Sequence, residues 1–131
     1  MSRKKTNLSD EQKRVLFDKG TETPGTGEYL NHDETGVYTC ANCEAELFRS
    51  SAKYESTMPG LIGWPSFHQA ANNKALKLLP DNSMGMKRTE VTCAQCGGHL
   101  GHLFEGDPSA PNGKHYCINS ASLGFTPREE T

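Results

Sequence analysis

Two short stretches, Cys40-Ala41-Asn42-Cys43 and Cys93-Ala94-Gln95-Cys96, set four thiols in two CxxC turns. Such a turn lets two sulfurs point at one ion, while the turn's backbone amides offset their negative charge. Zinc takes four tetrahedral ligands, and four cysteines make a standard closed structural site. The two pairs lie far apart in the chain, so one ion would pin two distant hairpins together. Two redox dithiols or four buried thiols would be the alternative, but a thioredoxin-like dithiol wants a βαβ context that is absent here. One structural zinc ion on Cys40, Cys43, Cys93 and Cys96 is expected. A closed site has no open position for a substrate, so this zinc accounts for stability and not for function.

The fifth cysteine, Cys117, is left over in "GKHYCINSAS". Free cysteine packs well as a small hydrophobe, but the neighbours argue otherwise. On a strand, His115, Cys117 and Asn119 share one face, and a core face rarely reads His-Cys-Asn. An imidazole can lower a thiol pKa or relay protons, and an amide can orient a ligand. His99 and His102, in "GGHLGHLF", are available to join the same site. The only tryptophan, Trp64 in "GWPSF", suits either a packing role or an apolar wall for a substrate. A reactive thiol with polar and apolar neighbours is the chemistry these residue types offer.

The elements that must position them read as short strands. "GVYTC" (36–40), "LFRS" (47–50), "ALKLL" (75–79), "KRTEVTC" (87–93), "HLGHLFEG" (99–106) and "HYCINSASLGF" (115–125) are strand candidates. Residues 57 to 67, with two prolines and two glycines, predict a loop. Ser9 is placed to cap a short helix, with Gln12 at the capping-box position and Val15 and Leu16 on one face. Asp18-Lys19-Gly20 would stop it. The domain is expected over 9–126, after a flexible tail at 1–8 and before a C-terminal tail at 127–131. The fold class is mainly β.

The 131 residues suit one domain, and 34% apolar residues allow only a modest core that a metal would help. The formal charge of −2, from 14 basic and 16 acidic residues, gives no positive surface for phosphate. Nucleic acid and an anionic membrane are therefore not expected as partners. No apolar run approaches the roughly 20 residues needed to span a bilayer. The start of the chain shows no secretory signal, so a cytoplasmic location, where thiols stay reduced, is expected. Nothing in the pattern suggests a dimer, and a monomer is expected.

"GWPSF", the two CxxC pairs, "HLGHLF" and "YCINSASL", in this order and spacing, resemble the methionine-(R)-sulfoxide reductase B family. The likeness runs from about Arg14 to Thr126. It implies two antiparallel sheets in a barrel-like fold, with the zinc remote from the active site. It implies reduction of the R epimer of methionine sulfoxide in oxidised peptides and proteins, which is protein repair. By matching motif, Cys117 is the nucleophile and passes through a sulfenic acid. Trp64 cradles the substrate methyl group, with His115 and Phe104 as further substrate-binding residues. His99, His102 and Asn119 form a polar wall facing the sulfoxide oxygen, with His102 the first choice of proton donor. Thioredoxin or a similar thiol reductant restores the enzyme.

The sequence departs from that pattern in three places. Many relatives carry a resolving cysteine just before "GWPSF"; here "YESTMPGLI" has none, so an external thiol is expected to reduce the sulfenic acid directly. His115 stands where relatives often have arginine, and histidine is only partly charged near neutrality, so a steeper pH dependence is expected. Gly106-Asp107-Pro108 replaces the usual Asp-Gly order before the proline. The rival readings are a zinc-stabilised binding module without chemistry, a zinc-ribbon nucleic-acid binder and an unrelated thiol peroxidase. The module would have no use for Cys117 between His115 and Asn119, and the charge disfavours the second. The apolar Trp64 loop suits a thioether better than a peroxide.

Overall fold

Ser9 and Gln12 open the one α-helix among the described residues, α1 (Asp10–Asp18). Gln12 N–H donates to Ser9 Oγ at 3.1 Å, and Ser9 N–H donates to Gln12 Oε1 at 2.9 Å. This reciprocal capping box satisfies two backbone donors that a helix start leaves without partners. The structure, a computed structural model, describes residues 8–18, 20–23, 25, 27–57, 63–82 and 88–128. Residues 1–7 and 129–131 of the expected tails, and 58–62 of the expected loop, lie outside these. Leu8, assigned to the tail by sequence, packs against the core.

Nine strands follow among the described residues: β1 (Gly36–Cys40), β2 (Glu46–Arg49), β3 (Lys53–Tyr54), β4 (Ser66–Phe67), β5 (Leu76–Asp81), β6 (Arg88–Cys93), β7 (His99–Glu105), β8 (Lys114–Ile118) and β9 (Leu123–Pro127). They form two antiparallel sheets, ordered β2-β1-β9 and β3-β4-β8-β7-β6-β5. The chain is mainly β with two antiparallel sheets, as the sequence implied. Tyr38, Phe48 and Leu123 from the small sheet and Phe67, Val91, Leu100 and Ile118 from the large one share a single buried cluster. Phe48 and Phe67 stack across the sheets with centroids 4.4 Å apart. Burying a side chain of this size contributes about 1.5–3 kcal/mol. No helix among the described residues is long and apolar enough to cross a membrane.

Three elements differ from expectation. The single strand expected over 115–125 is two strands in different sheets, β8 and β9, separated by a 3-10 turn at Ser120–Ser122. The loop expected over 57–67 ends in a strand, because Ser66 and Phe67 find partners in Cys117 and Tyr116. The last strand runs to Pro127, and Arg128 N–H donates to Thr35 O, so order continues past residue 126. Pro80 lies within β5, an edge strand, which is where sheets tolerate proline.

Candidate active site

The two CxxC turns are built alike. Glu44 N–H donates to Cys40 O and Gly97 N–H to Cys93 O, at 2.9 and 2.7 Å. The residue after each second cysteine takes a left-handed backbone, with φ of 68° at Glu44 and 79° at Gly97. Both turns close a hairpin, and they bring four Sγ atoms within 4.8 Å of one another. Cys40 and Cys96 lie 3.6 Å apart, and Cys43 and Cys93 lie 3.5 Å apart. A tetrahedron with metal–sulfur bonds of about 2.3 Å has edges of about 3.8 Å. The donor set and its spacing fit a four-thiolate metal site.

Cys117 lies elsewhere, in β8. It lines a cavity of about 150 Å³ together with Trp64, His102, Phe104, Asn119, Thr21, Arg88 and Gly101. The β7–β8 register sets His102 opposite Cys117, and the β4–β8 register sets Ser66 opposite it on the other side. Trp64, two residues before Ser66, is thereby brought to the same mouth. Burial pushes the Cys117 thiol up to about 12, and the nearby negative charge of Glu22 adds to this. The thiol rests protonated.

The polar residues divide by depth. His102 and Asn119 line the cavity. His102 Nε2 lies 2.7 Å from Asp81 Oδ2, which leaves Nδ1 as the nitrogen for a ligand. Asn119 Nδ2 donates to Leu100 O at 3.0 Å, and its Oδ1 accepts from Glu22 N–H at 3.0 Å. His99 stands behind His102, buried, with Nδ1 2.9 Å from Glu90 Oε2.

His115 is also set back. Its side chain has no exposed surface and lies outside the cavity lining. Nδ1 is 3.0 Å from Asp107 Oδ2, and Nε2 is 2.9 Å from Ser66 Oγ. An ionised carboxylate only accepts, so Nδ1–H donates to Asp107 and the Ser66 hydroxyl donates to Nε2. Burial lowers the His115 pKa, with Asp107 opposing the shift. Burial thus favours the neutral form of the ring at this position. Burial works to raise the Asp107 carboxyl, but hydrogen bonds from Ser109, Tyr54 and Ser56 outweigh it and hold Asp107 well below the usual carboxylate range. The altered Gly106-Asp107 order thus places its carboxylate on His115.

Glu22, Asp81, Glu90 and Ser66 were not singled out from the sequence. Glu90 alternates with Arg88 and Thr92 on one polar strand face, so nothing in the sequence signals its burial. Glu22 and Asp81 had no signal either, because their partners are distant in the chain.

The SelR domain family matches residues 8–127. A peptide methionine sulfoxide reductase MsrB of Methanosarcina mazei is 50% identical over 127 residues, covering 97% of this chain and 87% of that protein. One of the same name from Thiobacillus denitrificans is 49% identical over 125 residues, covering 95% and 91%. The mouse methionine-R-sulfoxide reductase B3, mitochondrial, is 45% identical over 124 residues, covering 95% of this chain and 47% of that protein. With both CxxC turns and the cavity of Cys117 in place, the chain belongs to the methionine-(R)-sulfoxide reductase B family, whose SelR domain it carries over nearly its whole length.

Proposed function

We propose that this chain reduces the R epimer of methionine sulfoxide in peptide linkage, with Cys117 as nucleophile. The observation that carries the reading is one small cavity holding a thiol, an indole, an imidazole and a carboxamide: Cys117, Trp64, His102 and Asn119. The names of the relatives supply the substrate class.

Trp64 and Phe104 offer apolar surface for the methyl group, Asn119 Nδ2 offers an N–H donor for the sulfoxide oxygen, and His102 Nδ1 takes the thiol proton and passes it to that oxygen. Fixing both groups at once is what separates R from S. Cys117 Sγ supplies an electron pair to the substrate sulfur. The sulfur–oxygen bond breaks, the oxygen ends on Sγ, and methionine leaves with its sulfur reduced by two electrons. The proton lost by the thiol ends on that oxygen, passed through His102. Cys117 is then a sulfenic acid. His99 and His115 support this wall from behind rather than contacting the oxygen.

The chain's other four cysteines form the metal cluster. An external thiol therefore attacks the sulfenic acid, water leaves, and a second thiol cleaves the mixed disulfide to restore Cys117. Thioredoxin, a glutaredoxin system or a small thiol meets this need. The cluster fits one structural Zn²⁺ on Cys40, Cys43, Cys93 and Cys96, which when bound supplies folding energy.

The test is to mix reduced protein with one equivalent of the R sulfoxide, without reductant, and trap sulfenic acid with a cyclic dione. The adduct is expected on the Cys117 peptide alone. Loss of sulfoxide with an adduct on a cluster cysteine, or with a Cys117 disulfide inside the chain, would contradict the mechanism.

A further inference from the structure

We propose that Glu22 is a positioning residue that locks Trp64 and Asn119 into one arrangement around Cys117, although it is not part of the cavity lining. The inference rests on the sulfoxide reductase reading and assigns a residue that governs it.

Glu22 is 3% exposed, and every polar part of it is engaged with the site's frame. Its carbonyl accepts from Trp64 Nε1–H at 3.0 Å. Its N–H donates to Asn119 Oδ1 at 3.0 Å. Its carboxylate takes the N–H of Ser120 on Oε2 at 2.8 Å and the N–H of Ala121 on Oε1 at 2.9 Å. Those two amides open the 3-10 turn that begins directly after Asn119. One residue of the N-terminal segment therefore grips the apolar wall with its carbonyl, the polar wall with its amide, and the turn carrying the polar wall with its side chain.

The carboxylate has little room to move. A methyl group at Gly27 would run into Ser120 Oγ and Glu22 Oε2. Ser120 Oγ in turn accepts Tyr29 N–H at 3.2 Å, tying residues 27–29 to the same turn. Each carboxylate oxygen meets an N–H donor, so only a residue with two acceptors fits. Glutamine would turn an NH₂ group toward one of the two amides. The turn would shift, and with it Asn119 and the strand segment that hydrogen-bonds through it.

Trp64 is the chain's only tryptophan, so its emission reports the apolar wall directly and without turnover. Compare wild type, Glu22→Gln and Glu22→Asp for emission wavelength and acrylamide quenching, zinc content, thermal melt and kinetics on the separate R and S epimers with dithiothreitol. For Glu22→Gln the account expects a shifted, more quenchable Trp64, and kcat/KM for R lower by about 10²-fold, the usual effect of misplacing reacting groups by about 1 Å. Its zinc content should stay at the wild-type level. Glu22→Asp keeps both acceptors on a shorter arm, and its kcat/KM should lie between those of wild type and Glu22→Gln. It carries the test if Glu22→Gln does not fold.

Unchanged emission with unchanged kinetics would overturn the proposal. So would changed emission with unchanged kinetics, since the wall would then be free to move without consequence. Kinetic loss that simply tracks a lowered melt, with Glu22→Asp no better than Glu22→Gln, would reduce Glu22 to a structural residue and also overturn it. A wild type inactive on both epimers, with Trp64 still displaced in Glu22→Gln, would sink the reductase reading and leave the positioning in place.

Discussion

Asp81 Oδ2 sits 2.7 Å from His102 Nε2, and His102 faces Cys117 across the β7–β8 ladder. Arg88 Nη2 reaches the same carboxylate oxygen at 3.3 Å. The pair fixes which imidazole nitrogen meets the carboxylate and which meets the cavity. The Asp81 carboxylate charge holds Nε2, so proton transfer to the sulfoxide oxygen runs through Nδ1. Asp81→Asn removes that charge and frees the ring to adopt the other tautomer. Turnover of the R epimer should fall by about 10²-fold, the lower end of a general acid's worth. KM should change far less than kcat. An unchanged kcat would remove Asp81 from the account.

Gly101 pairs with Ile118 where β7 and β8 run beside the site. A Cβ there would come within 3.0 Å of both the Cys117 carbonyl carbon and Ile118 Cα. These are backbone atoms of a paired strand, and neither can turn aside. Gly101→Ala should cost about 1–3 kcal/mol in urea unfolding, as overpacking does. It should also displace Cys117 and lower turnover. Wild-type stability and activity would show that the strands separate more easily than their pairing suggests.

Stability should fall as pH drops below neutrality. Burial lowers the His115 pKa, so below about 6.5 the unfolded chain takes up a proton that the folded ring resists. The contribution is present above that pH and is lost as pH falls through the folded value. Asp107, also lowered on folding, adds a loss of the same sign below about 3.9. Denaturant midpoints between pH 7 and pH 5 should slope downward in wild type. In His115→Gln the midpoints should be lower at pH 7 and flatter across the window. Parallel slopes would mean that His115 does not titrate differently on folding.

The cysteine cluster joins the β1–β2 turn to the β6–β7 turn, one in each sheet, so losing its ion should loosen the two sheets together. One zinc per chain is expected. A strong chelator, or Cys93→Ser, should lower the melting temperature sharply, since binding is worth on the order of 10 kcal/mol in small zinc modules. Zinc-free protein with an unaltered melt would rule out the structural role.

What the sequence made legible were features whose partners are close in the chain. The capping box of Ser9 and Gln12 and the two CxxC turns form through bonds of three to five residues' reach. The break at 119–122 was not legible, because the group that takes the amides of Ser120 and Ala121 is Glu22, about a hundred positions earlier. β4 is two residues long and exists only through its pairing with β3 and β8. Period-two reasoning placed His115 on the face of Cys117, but alternation fixes a face and not a depth. Depth was decided by Asp107 and Ser66, one from a turn and one from a strand that the pattern hid. Gly106, at φ 85°, opens the turn that contains Asp107; only a glycine takes that backbone without strain.

The central claim is that Cys117 reduces one epimer of methionine sulfoxide. The most direct measurement is reduction of blocked methionine sulfoxide, R and S epimers separately, with dithiothreitol, in wild type and Cys117→Ser. Turnover of R alone, abolished in the variant while its zinc content and melt are kept, is the expected result. Equal turnover of both epimers, turnover that survives Cys117→Ser, or none by folded, zinc-loaded wild type would contradict the account.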